Sequence, residues 1–184
     1  MSDIAAAQRL PLRAAAFSSV LEQLNPTDGE TVYLHAQRLG QAGKWDDALA
    51  PLLRLRESNP ENANIANSLG AAYYQLKQYR VAADTYRKAY RIQPQPRTLI
   101  SAVIALQGAK AWAEALGIIE EIRPQAKRLP EIAFHEAVLK ERLGRPKAAK
   151  AAYDAYLAVA AGHPDERKRV ASAKKRLVEL ALDN

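Results

Sequence analysis

The chain has 184 residues, 48% of them hydrophobic and 26% charged, with a formal charge of +7, three histidines and no cysteine. That mixture is too apolar for a disordered segment and long enough for one domain or one continuous array. The missing thiols exclude disulfide frameworks, thiolate zinc sites and cysteine nucleophiles, and apolar stretches such as Ala14 to Phe17 and Ala155 to Ala161 fall well short of the roughly 20 residues of a membrane-spanning helix.

The N-terminus carries Asp3 and places arginines within its apolar part, so it lacks the order of a secretory signal. A cytoplasmic address is expected, with the periplasmic domain of a longer envelope protein as the alternative. Leu12 to Leu24 reads as a helix stopped at Asn25-Pro26, the second helix of a unit whose first is missing or abbreviated. Prolines then recur at a fixed interval: Pro26, Pro60 and Pro94 are 34 residues apart, as are Pro130 and Pro164. Between them the chain predicts helices in pairs: Glu30 to Gln41 with Trp45 to Glu57, Ala63 to Leu76 with Tyr79 to Ile92, Thr98 to Gln107 with Trp112 to Ile122, and Glu131 to Leu143 with Lys147 to Ala160. A two-residue turn such as Lys77-Gln78 makes the members of a pair antiparallel neighbours. Each proline stops the second helix of its unit, because the ring cannot continue the ladder and the residue before it is pushed out of the α region. No convincing strand is present.

In the second unit, Leu69, Gly70, Tyr73 and Leu76 face Tyr79, Ala82, Tyr86 and Ala89 at the spacing of a buried stripe. A glycine within a helix costs about 0.5 to 1 kcal/mol against alanine, so Gly70 implies a close approach. This pattern of Leu69-Gly70, Tyr73, Ala82, Tyr86, Ala89 and Pro94 resembles the tetratricopeptide repeat. The first unit is similar through Ala36, Leu39, Gly43, Trp45, Ala48, Leu52 and Pro60, with His35 where leucine is usual. Degenerate versions follow: Val103, Leu106, Trp112, Ala115, Ile119 and Ile122, slipped by about one residue, then Phe134, Ala137, Gly144, Ala149, Tyr153 and Tyr156, with Lys140 and Glu141 where an aromatic is expected. The resemblance covers residues 12 to 164 or so. It implies an all-α, right-handed α-solenoid divided as 1–28 (partial repeat), 29–62, 63–96, 97–130 and 131–164 (four repeats), and 165–184 (a basic capping helix). In that last helix Val170, Ala173, Leu177 and Leu180 form the packing stripe, with Pro164, Asp165 and Glu166 at its start.

Catalytic and cofactor chemistry find no support in the residues. His35, His135 and His163 stand singly; His135-Glu136 begins like H-E-x-x-H but its fifth residue is Leu139, so no zinc pair forms. His35 falls on the packing stripe and is expected to be a satisfied core histidine. No phosphate loop appears, and Asp46-Asp47 and Glu120-Glu121 point in different directions on their helices. The expectation is a non-enzyme without cofactor or metal.

The resemblance further implies that the first helix of each unit lines a concave groove for a protein or peptide. Its positions here are Tyr33, Leu34, Gln37 and Gln41, then Asn64, Asn67, Ala71, Tyr74 and Gln75, joined from the degenerate units by Arg97, Ser101, Ile104, His135 and Arg142. The subclass that clamps a two-carboxylate chaperone tail uses Lys, Asn, Asn, Lys and Arg; Tyr33, Gln37 and Ser68 stand in corresponding places, so recognition of such a tail is not expected. Arrays of this kind in bacteria commonly serve secretion, pilus or exopolysaccharide assembly. Two alternatives come from other classes. Residues 140 to 184 hold 11 Lys+Arg against 6 Asp+Glu, and the patch Arg167, Lys168, Lys174, Lys175 and Arg176 suits nucleic acid or an anionic surface, although nucleic acid is the disfavoured partner. The open array end suits self-assembly into a homo-oligomer.

Overall fold

A computed structural model describes residues 2–25, 28–124, 129–160 and 162–182; Pro26, the first proline of the period, lies outside them. Ten α-helices and a short 3-10 turn account for most of these residues, with no strand among them. The chain divides into two compact units, residues 1–94 and 95–184.

The first unit holds α1 (Ser2–Leu24), α2 (Gly29–Gln41), α3 (Trp45–Ser58), α4 (Ala63–Gln75) and α5 (Tyr79–Ile92). The second holds α6 (Pro96–Gly108), α7 (Trp112–Ile122), α8 (Pro130–Arg142), α9 (Pro146–Ala160), the 3-10 turn Pro164–Glu166 and α10 (Arg167–Leu182). The sequence-predicted helices lie within two residues of these bounds except at the N-terminus, where α1 runs through Pro11 from Ser2.

Two devices repeat along the chain. At the starts of α2 and α4, Asp28 and Asn62, 34 residues apart, turn their side-chain oxygens onto free backbone N–H groups: those of Glu30 and Thr31 at 3.3 and 3.2 Å, and those of Asn64 and Ile65 at 3.0 and 3.3 Å. α6 and α8 start instead with Pro96 and Pro130, whose missing N–H leaves one donor fewer to satisfy. Within each pair the first helix ends in a left-handed residue, namely Gly43, Lys77, Lys110 and Gly144, with φ of 76, 60, 57 and 68°. The next N–H in each case reaches back five residues to a carbonyl: Lys44 to Leu39, Gln78 to Tyr73, Ala111 to Leu106 and Arg145 to Lys140, each at 2.9 Å. That closure turns the chain sharply into the second helix of the pair. The intervals between these residues are 34, 33 and 34, so the one-residue slip of the third repeat lies before its turn.

Small and branched side chains fill both cores. In the first unit Val32, Ala36, Leu39, Ala48, Leu52, Leu55, Ile65, Leu69 and Ala72 form one cluster, which Ala15 of α1 joins. In the second, Ala137, Ala149, Ala152, Tyr153 and Tyr156 pack with Ala173 and Leu180 of α10, and Val170 and Leu177 lie half-buried beside them. The apolar stripe of α10 thus packs against α9.

Candidate functional site

Four of the expected groove residues gather where α2 passes α4 in the first unit. Tyr33 sits one turn before Gln37, and Gln37 one turn before Gln41, so all three share a face of α2. The Tyr33 hydroxyl reaches across to α4, sharing a hydrogen bond of 2.9 Å with Ser68 and donating a longer one, 3.4 Å, to the Asn64 carbonyl. Tyr33 is therefore a strut between the two helices, and its hydroxyl is engaged inside the protein. Gln37 and Gln41 remain exposed, and Arg38 donates to the Gln41 Oε1 at 3.2 Å.

Below these amides is a cavity of about 400 Å³, lined by Ala36, Gln37, Gly40, Gln41, Trp45, Leu52, Ser68 and Ala71. Its floor is apolar and its rim carries two amides and a hydroxyl. Trp45 is half-buried and forms one wall. Sequence reasoning placed Trp45 in the packing code and missed it as a site residue. The signal was Gly40, five residues earlier: 34 residues on, the same position is Tyr74, whose ring meets Tyr79 edge-on at 5.5 Å. The second repeat thus pairs two aromatics where the first has a glycine, against which the Trp45 indole lies directly. Asn64 and Gln75 are exposed on α4 and Asn67 half-buried, none of them lining the cavity.

The expected groove residues of the second unit are mostly committed to its own structure. Arg97 pairs with Glu131 at 3.6 Å, and the Ser101 hydroxyl donates to its own helix, at the Arg97 carbonyl. Arg142 lies over the Trp112 ring, 5.6 Å from its centre. His135 is a correction. It is 7% exposed and faces the core, against Phe134, with neither ring nitrogen hydrogen-bonded. The degenerate register turned it inward, and burial pushes its pKa down to about 4, helped by the Arg169 charge against an opposing effect of Glu166. His35 is buried as expected, its Nδ1 sharing a 2.9 Å hydrogen bond with Ser18 of α1.

The basic patch also needs correction. Arg176 is half-buried and paired, with Glu141 of α8 and with Glu179 on its own helix, and Lys175 lies 3.8 Å from Glu179. Glu166 is not a solvated residue at a helix start: it is buried, accepts from the Tyr156 hydroxyl at 2.8 Å and pairs with Arg169 at 2.6 Å. Glu141, standing where an aromatic was expected, accepts from the Tyr153 hydroxyl at 2.9 Å. Burial alone would raise its pKa; the hydrogen bonds from Arg176 and Tyr153 outweigh that and hold it below the ordinary carboxylate value.

Among the described residues no three His, Asp or Glu side chains group as a metal site, and no helix is long and apolar enough to cross a membrane.

Comparison with known proteins agrees with this geometry. Residues 33–95, which include the cavity, match the family model described as tetratricopeptide repeat. Over 89 residues, 47% of the chain, the sequence is 32% identical to the probable UDP-N-acetylglucosamine--peptide N-acetylglucosaminyltransferase SEC of Arabidopsis thaliana, and it spans 9% of that protein's length. Among solved structures, MamA (residues 41 to end) from Desulfovibrio magneticus RS-1 superposes with a TM-score of 0.75 at 15% identity, covering 84% of this chain and 88% of that one. TTC0263, a thermophilic TPR protein in Thermus thermophilus, gives 0.63 at 22% identity, covering 90% and 98%. Yeast Tom70 gives 0.69 at 14% identity, covering 93% of this chain and 37% of that one. Residues 33–95 are tetratricopeptide repeats, and the chain is an all-α protein with the tetratricopeptide-repeat fold, of the α-solenoid class.

Proposed function

We propose that the chain is a non-catalytic interaction module that holds an extended segment of a partner protein across α2 and α4. One apolar side chain of the partner enters the cavity beside Trp45, and the Gln37 and Gln41 amides bond the partner's backbone, as groups that both donate and accept can do. Repeats at 29–62 and 63–96 carry this site. The observation that carries the reading is the open, apolar-floored cavity under two exposed amides, in the part of the chain that matches the repeat family. Small, mostly apolar concavities with a few convergent polar groups are the usual form of a binding site.

The test is selection from a displayed library of random peptides, followed by titration of the enriched sequences against wild type and Ala71→Leu, which fills the cavity from its α4 side. Enrichment of peptides with a required apolar residue, and at least about tenfold weaker binding to Ala71→Leu at unchanged melting temperature, supports the reading. Equal binding to both proteins, or no enrichment, overturns it.

A second reading, self-association, is favoured by α1. Leu10, Phe17 and Leu24 recur every seven residues on that helix, and all are exposed.

A further inference from the structure

The cations near the C-terminus separate into two groups. Arg169, Lys175 and Arg176 are neutralised by Glu166, Glu179 and Glu141, whereas Arg167, Lys168 and Lys174 enter no ion pair among the described residues. Of these, Arg167 and Lys174 lie seven residues apart on α10, two turns, and so project from the same side. That side borders a cavity of about 340 Å³, whose lining includes His163 from the preceding turn and Leu157, Ala160 and Val170 as an apolar floor. None of its lining residues is acidic. The nearest buried carboxylate, Glu166, is turned away onto Tyr156 and Arg169.

We propose that this cavity binds a carboxylate carried on a short apolar group, as presented by the free C-terminus of a peptide ending in leucine or by a medium-chain fatty acid. The guanidinium of Arg167 offers the planar fork that matches a carboxylate, and Lys174 adds a second charge. Leu157, Ala160 and Val170 receive the tail. The volume lies at the small end of ligand sites, about 300–1,000 Å³, which suits one residue-sized group and not an extended segment. Because both cations are solvent-exposed, the dissociation constant should be on the order of 0.1 mM. The site lies in the second unit and stands whether or not the first unit binds peptide.

Isothermal titration calorimetry tests it with four probes: a short peptide ending in free leucine, the same peptide as its C-terminal amide, decanoate, and acetate. Binding of the free-acid peptide, about tenfold or more tighter than the amide, supports the site with a protein terminus as the source. Binding of decanoate but not of the peptide supports it with a fatty acid as the source. Arg167→Ala and Lys174→Ala should each weaken the bound probe about tenfold, and Val170→Ser should weaken it as well. Lys168→Ala, on the same helix but outside the lining, should leave it unchanged. The proposal is overturned if neither peptide nor decanoate binds at millimolar concentration, if acetate binds as well as decanoate, or if Lys168→Ala costs as much as Arg167→Ala.

Discussion

A Cβ built on Gly40 would lie 2.6 Å from Cζ3 of Trp45, so the backbone of α2 and the indole of α3 touch with no side chain between them. Gly70 stands in the same relation to Tyr86, 2.8 Å from Cδ1 and Cε1. The two aromatics differ in freedom: Trp45 is half-buried and borders the cavity, whereas Tyr86 is enclosed.

Substituting each glycine by alanine therefore separates the two cases. Alanine gains up to about 1 kcal/mol of helix propensity and loses about 1–3 kcal/mol to overpacking. Gly70→Ala should lower stability by about 2 kcal/mol, since Tyr86 has nowhere to go. Gly40→Ala should be close to neutral, the indole swinging into the cavity. Urea denaturation measures both. Tryptophan fluorescence in a Trp112→Phe background should shift only for Gly40→Ala, and a larger stability loss for Gly40→Ala than for Gly70→Ala would contradict this account.

The four interhelix turns demand a left-handed residue, and two of them use lysine. Side chains in that region cost about 1–2 kcal/mol relative to right-handed backbone, while glycine carries no such penalty but greater unfolded-state entropy. Lys77→Gly and Lys110→Gly are each expected to raise stability by about 0.5–1 kcal/mol, and Gly43→Ala and Gly144→Ala to lower it by a similar amount. Thermal melts of the four variants check the set; destabilisation by both glycine substitutions would count against it.

Much of the fold was legible because the repeat writes the same instruction several times. The prolines, the small residues Gly70 and Ala82, and the buried stripe of Leu69, Tyr86 and Ala89 all point to one packing of helix pairs. The site was less legible. A concave face inferred from one repeat carries over only while the register holds, and the interval of 33 before the third repeat's turn, with degenerate residues beyond it, turned His135 into the core. Glu141, Glu166 and Arg176 were unreadable for a different reason. Their pairing depends on α10 lying along α9, a tertiary fact that charge along a sequence does not encode. Trp45 was seen but assigned only to packing, because what seats its indole at the cavity is a missing side chain at Gly40.

His135 gives the protein a specific acid sensitivity. Its folded pKa of about 4 lies below the value of 6.5 for an unperturbed histidine, so the unfolded chain takes up the proton first. The stability associated with the neutral ring is fully present above about pH 6.5, declines as pH falls, and is lost by about pH 4. The total is on the order of a few kcal/mol. His135→Leu should abolish this component and, by removing two buried nitrogens without partners, raise stability at neutral pH by about 1 kcal/mol. Urea midpoints of wild type and variant at pH 7 and pH 5 decide the matter: the gap between them should widen at pH 5, and a constant gap would rule out the buried imidazole as the sensor.

Phe17 is 68% exposed although it lies in the middle of α1, and Leu10 and Leu24, seven residues to either side, are 72% and 70% exposed. Val20, three residues on, is exposed as well. Apolar residues repeating at seven and three are the pattern of a helix that packs along another helix, and the opposite side of α1 is already occupied, with Ala15 buried against the core and Ser18 bonded to His35. A second copy supplies the same stripe, so two chains can pair through α1 about a twofold axis. Light scattering across a range of concentrations should show a dimer that dissociates on dilution. Phe17→Glu, which places a carboxylate in the middle of the stripe, should hold the protein monomeric with its melting temperature at low concentration unchanged, since the side chain supports nothing within the monomer. A wild type that stays monomeric at high concentration excludes the pairing, and a dimer that survives Phe17→Glu assigns it to another surface.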